Sequence, residues 1–251
     1  MDRPFLTKFT ETEGPDEAII IIKGYLSDGT EPEEVSDDYT QRLRNAGWRG
    51  SVYHLWWDAS NTGGVASKTT TGALLTTALS APLMGPIAIG SILGARYHWA
   101  KVKDRAKRTG QDHGLDIIRS NVSEHRISLL GHSLGARVSY YLLRRAAEKK
   151  FQFENAYLLG GAVRRDSSKD WSGVTNGVRR HIVNVYNKKD KVLSSFYRLA
   201  EVRQNPCGRK PIKVKHSKIK NINARYIINS SSHGAYRKFL TQTIGAYFHQ
   251  T

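Results

Sequence analysis

The chain has almost no cysteine, because Cys207 is the only one among its 251 residues. A single thiol cannot form an intrachain disulfide, which is compatible with a reducing compartment. Cys207 lies in a Pro-Cys-Gly segment typical of a loop, and we interpret it as an incidental thiol rather than a nucleophile. The sequence also lacks a group of His, Cys, Asp and Glu with metal-ligand spacing. We therefore expect a site that uses no metal and no cofactor.

A secretory signal is also missing from the sequence. Residues 1–7 do not show the charged segment followed by an apolar segment that marks such a signal. We therefore expect a cytoplasmic location. No internal repeat is visible, and a chain of this length suits a single α/β domain with a sizeable core. The predicted organisation is one domain over residues 1–251.

Acidic residues become scarce beyond residue 40. Residues 1–40 hold 11 acids and 3 bases, whereas residues 41–251 hold 36 bases and 11 acids, and the whole chain has a formal net charge of +17. A positive surface attracts anionic partners such as nucleic acid, anionic lipid headgroups or an acidic protein. The alternative is a solvated basic surface without a dedicated partner. No basic motif interleaved with aromatic residues stands out, which disfavours nucleic acid.

Charged residues are absent from residues 69–95, and most of this stretch is small or apolar. Its length would suffice to cross a bilayer. However, Pro82, Gly85 and Pro86 interrupt it near the middle and leave two arms of about ten residues, each too short to span alone. The pattern therefore favours two shorter helices over one membrane-spanning helix.

We predict a helical hairpin, Val65–Ala81 and Pro86–Trp99, as an insertion over residues 65–100. It is interpreted as a lid or a membrane-dipping hairpin, with an internal core element as the alternative and a single crossing as the least favoured reading. A basic helical region, Tyr97–Arg119, follows directly, with a predicted bend at its glycines. An apolar segment flanked by cations is typical of peripheral attachment to an anionic membrane surface.

The most informative stretch is residues 127–137, Ile-Ser-Leu-Leu-Gly-His-Ser-Leu-Gly-Ala-Arg. Its centre, residues 131–135, matches the G-x-S-x-G nucleophile elbow, in which a tight turn between a strand and a helix presents a serine to a base. A predicted strand, Arg126–Leu130, precedes the motif, and a predicted helix, Ala136–Ala147, follows it. The motif in this context predicts that Ser133 is a nucleophile. The alternative is an ordinary turn that carries a buried serine.

The elbow also indicates where an oxyanion would be stabilised. The N-terminus of the following helix directs free N–H groups at the developing negative charge. In this type of hydrolase the second donor comes from the loop after an earlier strand. We therefore predict an oxyanion hole formed by the backbone N–H groups of Leu134 and Tyr25. The alternative is that Gly24, before Tyr25, merely ends a strand.

Predicted strands alternate with predicted helices along the whole chain. The remaining strands are predicted at Glu17–Gly24, Ser51–Trp57, Glu154–Gly161, Arg180–Tyr186 and Arg225–Asn229, and the remaining helices at Glu33–Ala46, Leu193–Val202 and Ala235–Phe248. This alternation predicts an α/β fold with a mostly parallel sheet and helices on both faces.

The partners of the serine are expected in loops that follow later strands. In this fold the order along the chain is Ser, then Asp or Glu, then His. Asp190 follows the strand that ends at residue 186, and His233 lies between the last predicted strand and the last predicted helix. We predict that His233 is the base and that Asp190 orients it, with Asp166 as the reserve acid. His132 is expected to point away from the serine and to serve packing.

Several blocks of the sequence resemble the TMCO4-like (DUF726) α/β-hydrolase family. The matching blocks are Leu129–Val138, Leu158–Val163, Trp171, Val183–Leu193 and Ser232–Tyr236. The likeness covers most of residues 17–240. It implies an α/β-hydrolase fold, the triad Ser133, Asp190 and His233, and lipase-like activity near membranes.

The leading hypothesis is a serine hydrolase that cleaves carboxylic esters through an acyl-enzyme, as a lipase or phospholipase acting on a lipid or another ester at an anionic membrane. Two alternatives from other classes use the same scaffold without catalysis. One is a silent membrane-docking module. The other is a nucleic-acid-binding protein, in which only the basic charge would contribute to binding.

Overall fold

The computed structural model describes residues 4–12, 14–24, 32–59, 86–166, 168–197, 201 and 205–248. Its strands are β1 (Phe5–Thr10), β2 (Glu17–Ile22), β3 (Ser51–Trp56), β4 (Arg126–His132), β5 (Phe153–Leu159), β6 (Val178–Tyr186) and β7 (Ile219–Asn223). Its helices are α1 (Pro32–Asn45), α2 (Pro86–Arg108), α3 (Gly114–Asn121), α4 (Leu134–Glu148), α5 (Trp171–Val174) and α6 (Leu240–Thr243). Shorter segments are π-helical at Thr109–His113 and Leu193–Tyr197 and 3-10 helical at Thr175–Gly177, His233–Phe239 and Gly245–Tyr247.

The strands form one sheet in the order β1-β3-β2-β4-β5-β6-β7. All described pairs are parallel except β1 with β3. β2 lies between β3 and β4, so the strand that follows β2 in the chain pairs with one of its edges and the next strand pairs with its other edge. The carboxyl ends of strands at such a switch point are where open α/β sheets form their sites. The predicted α/β-hydrolase fold, with its mostly parallel sheet and helices on both faces, is confirmed.

Strand β2 shows why the sheet needs an unbroken apolar sequence. Ile20 and Ile22 pack into the core that also holds residues of α2 and α4, whereas Ile19 and Ile21 pack into the core beneath α1 and the C-terminal segments. All four are at most 2% exposed. Burying each isoleucine stabilises the fold by about 1.5–3 kcal/mol, so a central strand covered on both faces is apolar at every position.

The second arm of the predicted hairpin, Pro86–Trp99, is the first part of α2, which continues to Arg108. The first arm, Val65–Ala81, lies outside the described residues. The bend predicted in the basic helical region is a π-helical turn at Thr109–His113. A Cβ on Gly110 would lie 2.4 Å from the Val138 carbonyl oxygen, so glycine lets this turn approach α4 closely. Within the described residues, no helix combines the length and the apolar character that a bilayer crossing requires.

The last strand differs from the prediction at Arg225–Asn229, because β7 comes earlier, at Ile219–Asn223. As an edge strand, β7 pairs only with β6 and tolerates polar side chains, which hid it in the sequence. The apolar residues of the predicted strand serve another purpose, since Ile228 is fully buried in the core. The antiparallel edge strand β1 was not predicted at all.

The prediction of one regular helix at Ala235–Phe248 is also wrong, because short 3-10 and α-helical segments occupy this stretch. Thr243 donates its hydroxyl hydrogen to the Phe239 carbonyl at 2.6 Å, a local bond that competes with regular helix formation. A Cβ on Gly245 would lie 3.1 Å from the Ala46 carbonyl oxygen, so this segment packs closely on the end of α1.

Candidate active site

The turn between β4 and α4 holds Ser133 in an unusual backbone conformation. Its φ is 58° and its ψ is −118°, a combination that non-glycine residues rarely adopt and that costs about 1–3 kcal/mol. Two long-range bonds fix it: the Ser133 N–H donates to the Leu159 carbonyl at 3.0 Å, and the Ala162 N–H donates to the Ser133 carbonyl at 2.9 Å. The carboxyl end of β5 therefore holds the strained turn in place.

Two glycines allow the neighbouring backbone to approach this turn. A Cβ on Gly135 would lie 1.9 Å from the Ile22 carbonyl oxygen, and a Cβ on Gly24 would lie 2.6 Å from the Ser133 Cβ. Both distances are too short for a real side chain. The end of β2 is therefore pressed against the elbow, as the switch point in the sheet requires.

Of the two predicted oxyanion donors, only Leu134 lies within the described residues. Leu134 is the first residue of α4, so its N–H belongs to the helix-terminal donors that have no acceptor inside the helix. Tyr25 lies outside the described residues. Gly24, the residue before Tyr25, is described and lies against Ser133 at the elbow.

Asp190 is almost completely buried, with 1% of its surface exposed, and its carboxylate accepts three hydrogen bonds. His233 Nδ1 lies 2.6 Å from Oδ2, the Tyr236 hydroxyl donates to the same oxygen at 3.2 Å, and the Leu193 N–H donates to Oδ1 at 3.0 Å. These donors compensate the desolvation of a buried carboxylate.

The bond to Asp190 sets the tautomer of His233. A carboxylate accepts hydrogen bonds, so the proton of the neutral imidazole resides on Nδ1 and Nε2 keeps its lone pair. Within the described part of the chain, this Nε2 is buried and makes no hydrogen bond. The imidazole is therefore oriented as a base whose acceptor nitrogen is free to take a proton.

His132, which precedes Ser133, contacts this histidine. Its Nε2–H donates to the His233 carbonyl at 2.9 Å, and the two ring centroids are 4.8 Å apart. Desolvation, with repulsion from His233 as a second cause, lowers the pKa of His132 to about 3. His132 thus contacts a loop about 100 residues away, and no local pattern in the sequence encodes that contact. Through it, the residue before Ser133 touches the loop of His233.

Two further positioning residues were missed by the sequence reasoning. Asn187 donates its side-chain amide to the Ser230 carbonyl at 3.1 Å, which ties the loop of Asp190 to the loop of His233. The Tyr236 hydroxyl donates to Asp190, and burial together with that carboxylate raises the pKa of Tyr236 well above its usual value. The spacing of Tyr236, one helical turn after His233, is the signal that could have identified it.

The other chemically reactive residues lie elsewhere. The reserve acid Asp166 pairs with Arg164 at 3.3 Å and accepts from the Ser168 N–H at 3.1 Å. Cys207 is a free, buried thiol whose pKa burial raises to about 12. Among the residues that the structure describes, no group of three or more His, Cys, Asp or Glu side chains is placed to hold a metal ion.

A family model with the description "Protein of unknown function (DUF726)" matches residues 57–246. An uncharacterized membrane protein of Caenorhabditis elegans is 30% identical over 181 residues, which cover 69% of this chain and 29% of that protein. The probable lipase MIL1 of Saccharomyces cerevisiae is 29% identical over 172 residues, which cover 60% of this chain and 16% of that protein.

The chain spans about a third or less of the length of the curated relatives it matches first. Among solved structures, an α/β serine hydrolase without a lid from Xanthomonas campestris matches with a TM-score of 0.47 and 12% sequence identity. That match covers 99% of this chain and 89% of the other.

Proposed function

The chain belongs to the DUF726 family, and from this premise we propose that it is a serine hydrolase that cleaves carboxylic esters. Ser133 is the nucleophile, His233 the general base and acid, and Asp190 the residue that orients His233. The single observation that carries the proposal is the combination of a strained serine at the β4–α4 turn with an Asp190–His233 pair whose Nε2 is left without a partner.

The reaction follows from these groups. His233 Nε2 removes the Ser133 hydroxyl proton while Oγ attacks the ester carbonyl carbon and forms a tetrahedral intermediate. The C–O bond to the alcohol then breaks, and the proton on Nε2 passes to the departing alcohol. Water, deprotonated by the same nitrogen, attacks the acyl carbon; the bond from this carbon to Ser133 Oγ then breaks, the acid leaves, and the proton on Nε2 returns to Oγ. Asp190 stays ionised and stabilises the imidazolium that forms in each half-reaction.

The negative charge of each tetrahedral intermediate is expected at the N-terminus of α4. There the N–H of Leu134 and the positive end of the helix stabilise an oxyanion. We propose the N–H of Tyr25 as the second donor. Removing one such donor from a serine hydrolase costs about 10²–10³ in kcat.

We propose that the ester is a lipid presented at an anionic membrane surface. Support comes from α2, where Tyr97 is 64% exposed and Lys101 Nζ lies 4.4 Å from the centre of its ring. An exposed aromatic ring next to a cation suits the interface between headgroups and acyl chains. The uncharged residues 69–95 immediately precede this pair, and the chain as a whole carries +17.

Labelling with a fluorophosphonate probe tests the catalytic part of the proposal. We expect wild-type protein to be labelled and Ser133→Ala to be unlabelled, because the probe reacts with an activated serine. Ser217→Ala, which removes an exposed serine far from the elbow in the chain, is the matched control and should label as wild type does. Labelling that persists in Ser133→Ala would refute the assignment, and absence of labelling in wild type would favour a catalytically silent scaffold.

Liposome flotation tests the membrane part. We expect binding to vesicles that contain phosphatidylglycerol, weak binding to pure phosphatidylcholine, and weaker binding for Lys101→Glu. Arg225→Glu is the control, because Arg225 forms a similar surface pair with Tyr226, which is 84% exposed. Equal loss in both variants would indicate a diffuse effect of net charge and would argue against a docking role for α2.

A further inference from the structure

Among the described residues, Arg137 is a buried cation without an anionic partner, one turn along α4 from Ser133. Only 7% of its surface is exposed. Its Nη2 lies 3.5 Å from the Tyr141 hydroxyl oxygen, a long hydrogen bond, and its Nε has no partner in the part of the chain that the structure describes. Burying an unpaired guanidinium is costly, so such a group is a candidate for binding an anion.

Several of the groups around Arg137 are donors or cations. Lys169 Nζ donates to the Tyr141 hydroxyl at 2.9 Å, so a lysine and an arginine converge on one oxygen. The Tyr197 hydroxyl and Arg164 Nε are buried and, within the described residues, lack hydrogen-bond partners. Burial raises the pKa of Tyr197 and the charge of Glu201 adds to the rise, whereas the charges of Arg137 and Arg164 oppose it. We call this group the cationic pocket: Arg137, Tyr141, Arg164, Lys169 and Tyr197.

Three carboxylates on or next to the elements that form the cationic pocket have partners other than Arg137, although the partner of Asp166 is Arg164, itself a member of the pocket. Asp166 pairs with Arg164, Asp170 accepts from the Gly173 N–H at 2.7 Å, and Glu201 accepts from Trp99 and Lys103. In the sequence, residues 59–103 contain no acid at all. Arg137 is thus left uncompensated within the described structure.

The position of the cationic pocket relates it to the elbow. Arg137 is four residues after Ser133, about 6 Å along the axis of α4. Arg164 is two residues after Ala162, whose N–H donates to the Ser133 carbonyl. Arg137 and Arg164 therefore lie on two segments that meet at the elbow.

We propose that the cationic pocket binds an anionic group of the ester substrate, a phosphate or carboxylate, while Ser133 attacks the ester carbonyl. This assignment rests on the proposed function, since it names the class of ester on which the same site acts. Arg137 supplies the central charge, Tyr141 and Tyr197 supply hydroxyl groups, and Lys169 lies at the rim. Among lipids, the pocket selects acidic glycerolipids over neutral acylglycerols.

Binding to the full chain carrying Ser133→Ala tests the pocket without turnover. Isothermal titration calorimetry would compare soluble dihexanoyl phosphatidate, dihexanoylglycerol and inorganic phosphate. We expect phosphatidate to bind at least tenfold more tightly than the other two. Equal affinity for phosphatidate and dihexanoylglycerol would overturn the proposal. Inorganic phosphate that binds as tightly as phosphatidate would also overturn it, because the pocket would then be a simple ion site.

The decisive variant adds Arg137→Gln to the same chain. We expect phosphatidate binding to weaken by tenfold or more, with dihexanoylglycerol binding unchanged. Arg144→Gln is the matched control, because Arg144 lies on the exposed face of α4 and should have no effect. Arg137→Lys keeps the charge and should retain part of the affinity, which keeps the test decisive if Arg137→Gln folds poorly. Unchanged phosphatidate binding in both Arg137 variants would overturn the proposal.

A neutral fluorophosphonate separates this proposal from the catalytic one. If wild type is not labelled, the catalytic proposal fails while the calorimetric preference for phosphatidate stands by itself. If wild type is labelled but shows no preference for phosphatidate, the pocket assignment fails and the catalytic proposal stands.

Discussion

Two regions at the carboxyl edge of the sheet treat a buried charge in opposite ways. The Asp190 carboxylate accepts from His233, Tyr236 and Leu193, so its charge is compensated by fixed donors. The Arg137 guanidinium makes a long contact to the Tyr141 hydroxyl and lies 5.5 Å from the centre of the same ring, and its Nε has no hydrogen-bond partner among the described residues. On our proposals, a catalytic pair has to be oriented before the substrate arrives, whereas a binding group is completed by the substrate itself.

The largest expected effect, on kcat, comes from a substitution at Asp190, whose charge is compensated by fixed donors. In Asp190→Asn the side-chain amide can donate to His233 and favours the wrong tautomer, so kcat should fall by about 10⁴-fold. Phosphatidate binding at the cationic pocket should remain unchanged, as calorimetry would check. A loss of both properties would mean that the two regions are not independent.

The next largest effect, on stability, comes from a substitution in the elbow, which adjoins both regions. In Gly135→Ala the new Cβ would lie 1.9 Å from the Ile22 carbonyl oxygen, and backbone must move to accommodate it. We expect a loss of more than about 3 kcal/mol in the free energy of unfolding. Gly94→Ala is the control in α2, where a Cβ meets nothing within 4 Å and alanine favours the helix. Thermal melts that rank the two variants alike would contradict the packing described here.

The third effect is a dependence of stability on pH. Because the pKa of His132 is lowered to about 3 in the folded state, the unfolded chain binds the extra proton between pH 6.5 and 3. Stability is therefore fully present above pH 6.5 and is lost as pH falls, by at most about 1.4 kcal/mol per pH unit from this group. His132→Gln keeps a donor toward the His233 carbonyl and should flatten the slope measured by chemical denaturation. An unchanged slope would show that His132 is not the responsible group.

The smallest effect sharpens the comparison at a single hydroxyl. Tyr236→Phe removes a single hydroxyl donor that lies 3.2 Å from both Asp190 Oδ2 and the Gly208 carbonyl oxygen. We expect a loss of about 1–2 kcal/mol in the free energy of unfolding and a decrease in kcat of up to about tenfold. Tyr226→Phe, at an exposed position, is the control and should change neither. An unaffected Tyr236→Phe would mean that the remaining donors suffice for Asp190.

The fold and much of the candidate site could be predicted from the sequence because their signals are local. An apolar run marks β2, and the elbow encodes its strand, turn and helix within about twenty residues. Asp190 and His233 were proposed from the order of strands, and the structure brings these two into contact.

The remaining features depend on contacts that are distant in sequence. Strand β7 is polar because it lies at an edge, and its assignment requires knowledge of its neighbour β6. His132 was assigned to packing because nothing near it in the sequence indicates the loop of His233. Arg137 lies within the block Leu129–Val138, and nothing near it in the sequence distinguishes it from other basic residues. Its lack of a partner becomes visible only when the surrounding donors are located in space.

The order of the strands has a consequence for how this protein can diversify. The chain leaves the sheet after β3 at Trp56 and rejoins it at Arg126, on the opposite side of β2. The intervening residues begin and end at positions fixed by the sheet, and Val102 and Ala106 of α2 pack into the core. On our proposals, only the residues of this segment outside the core are therefore open to change that alters substrate choice while Ser133, Asp190 and His233 keep their places.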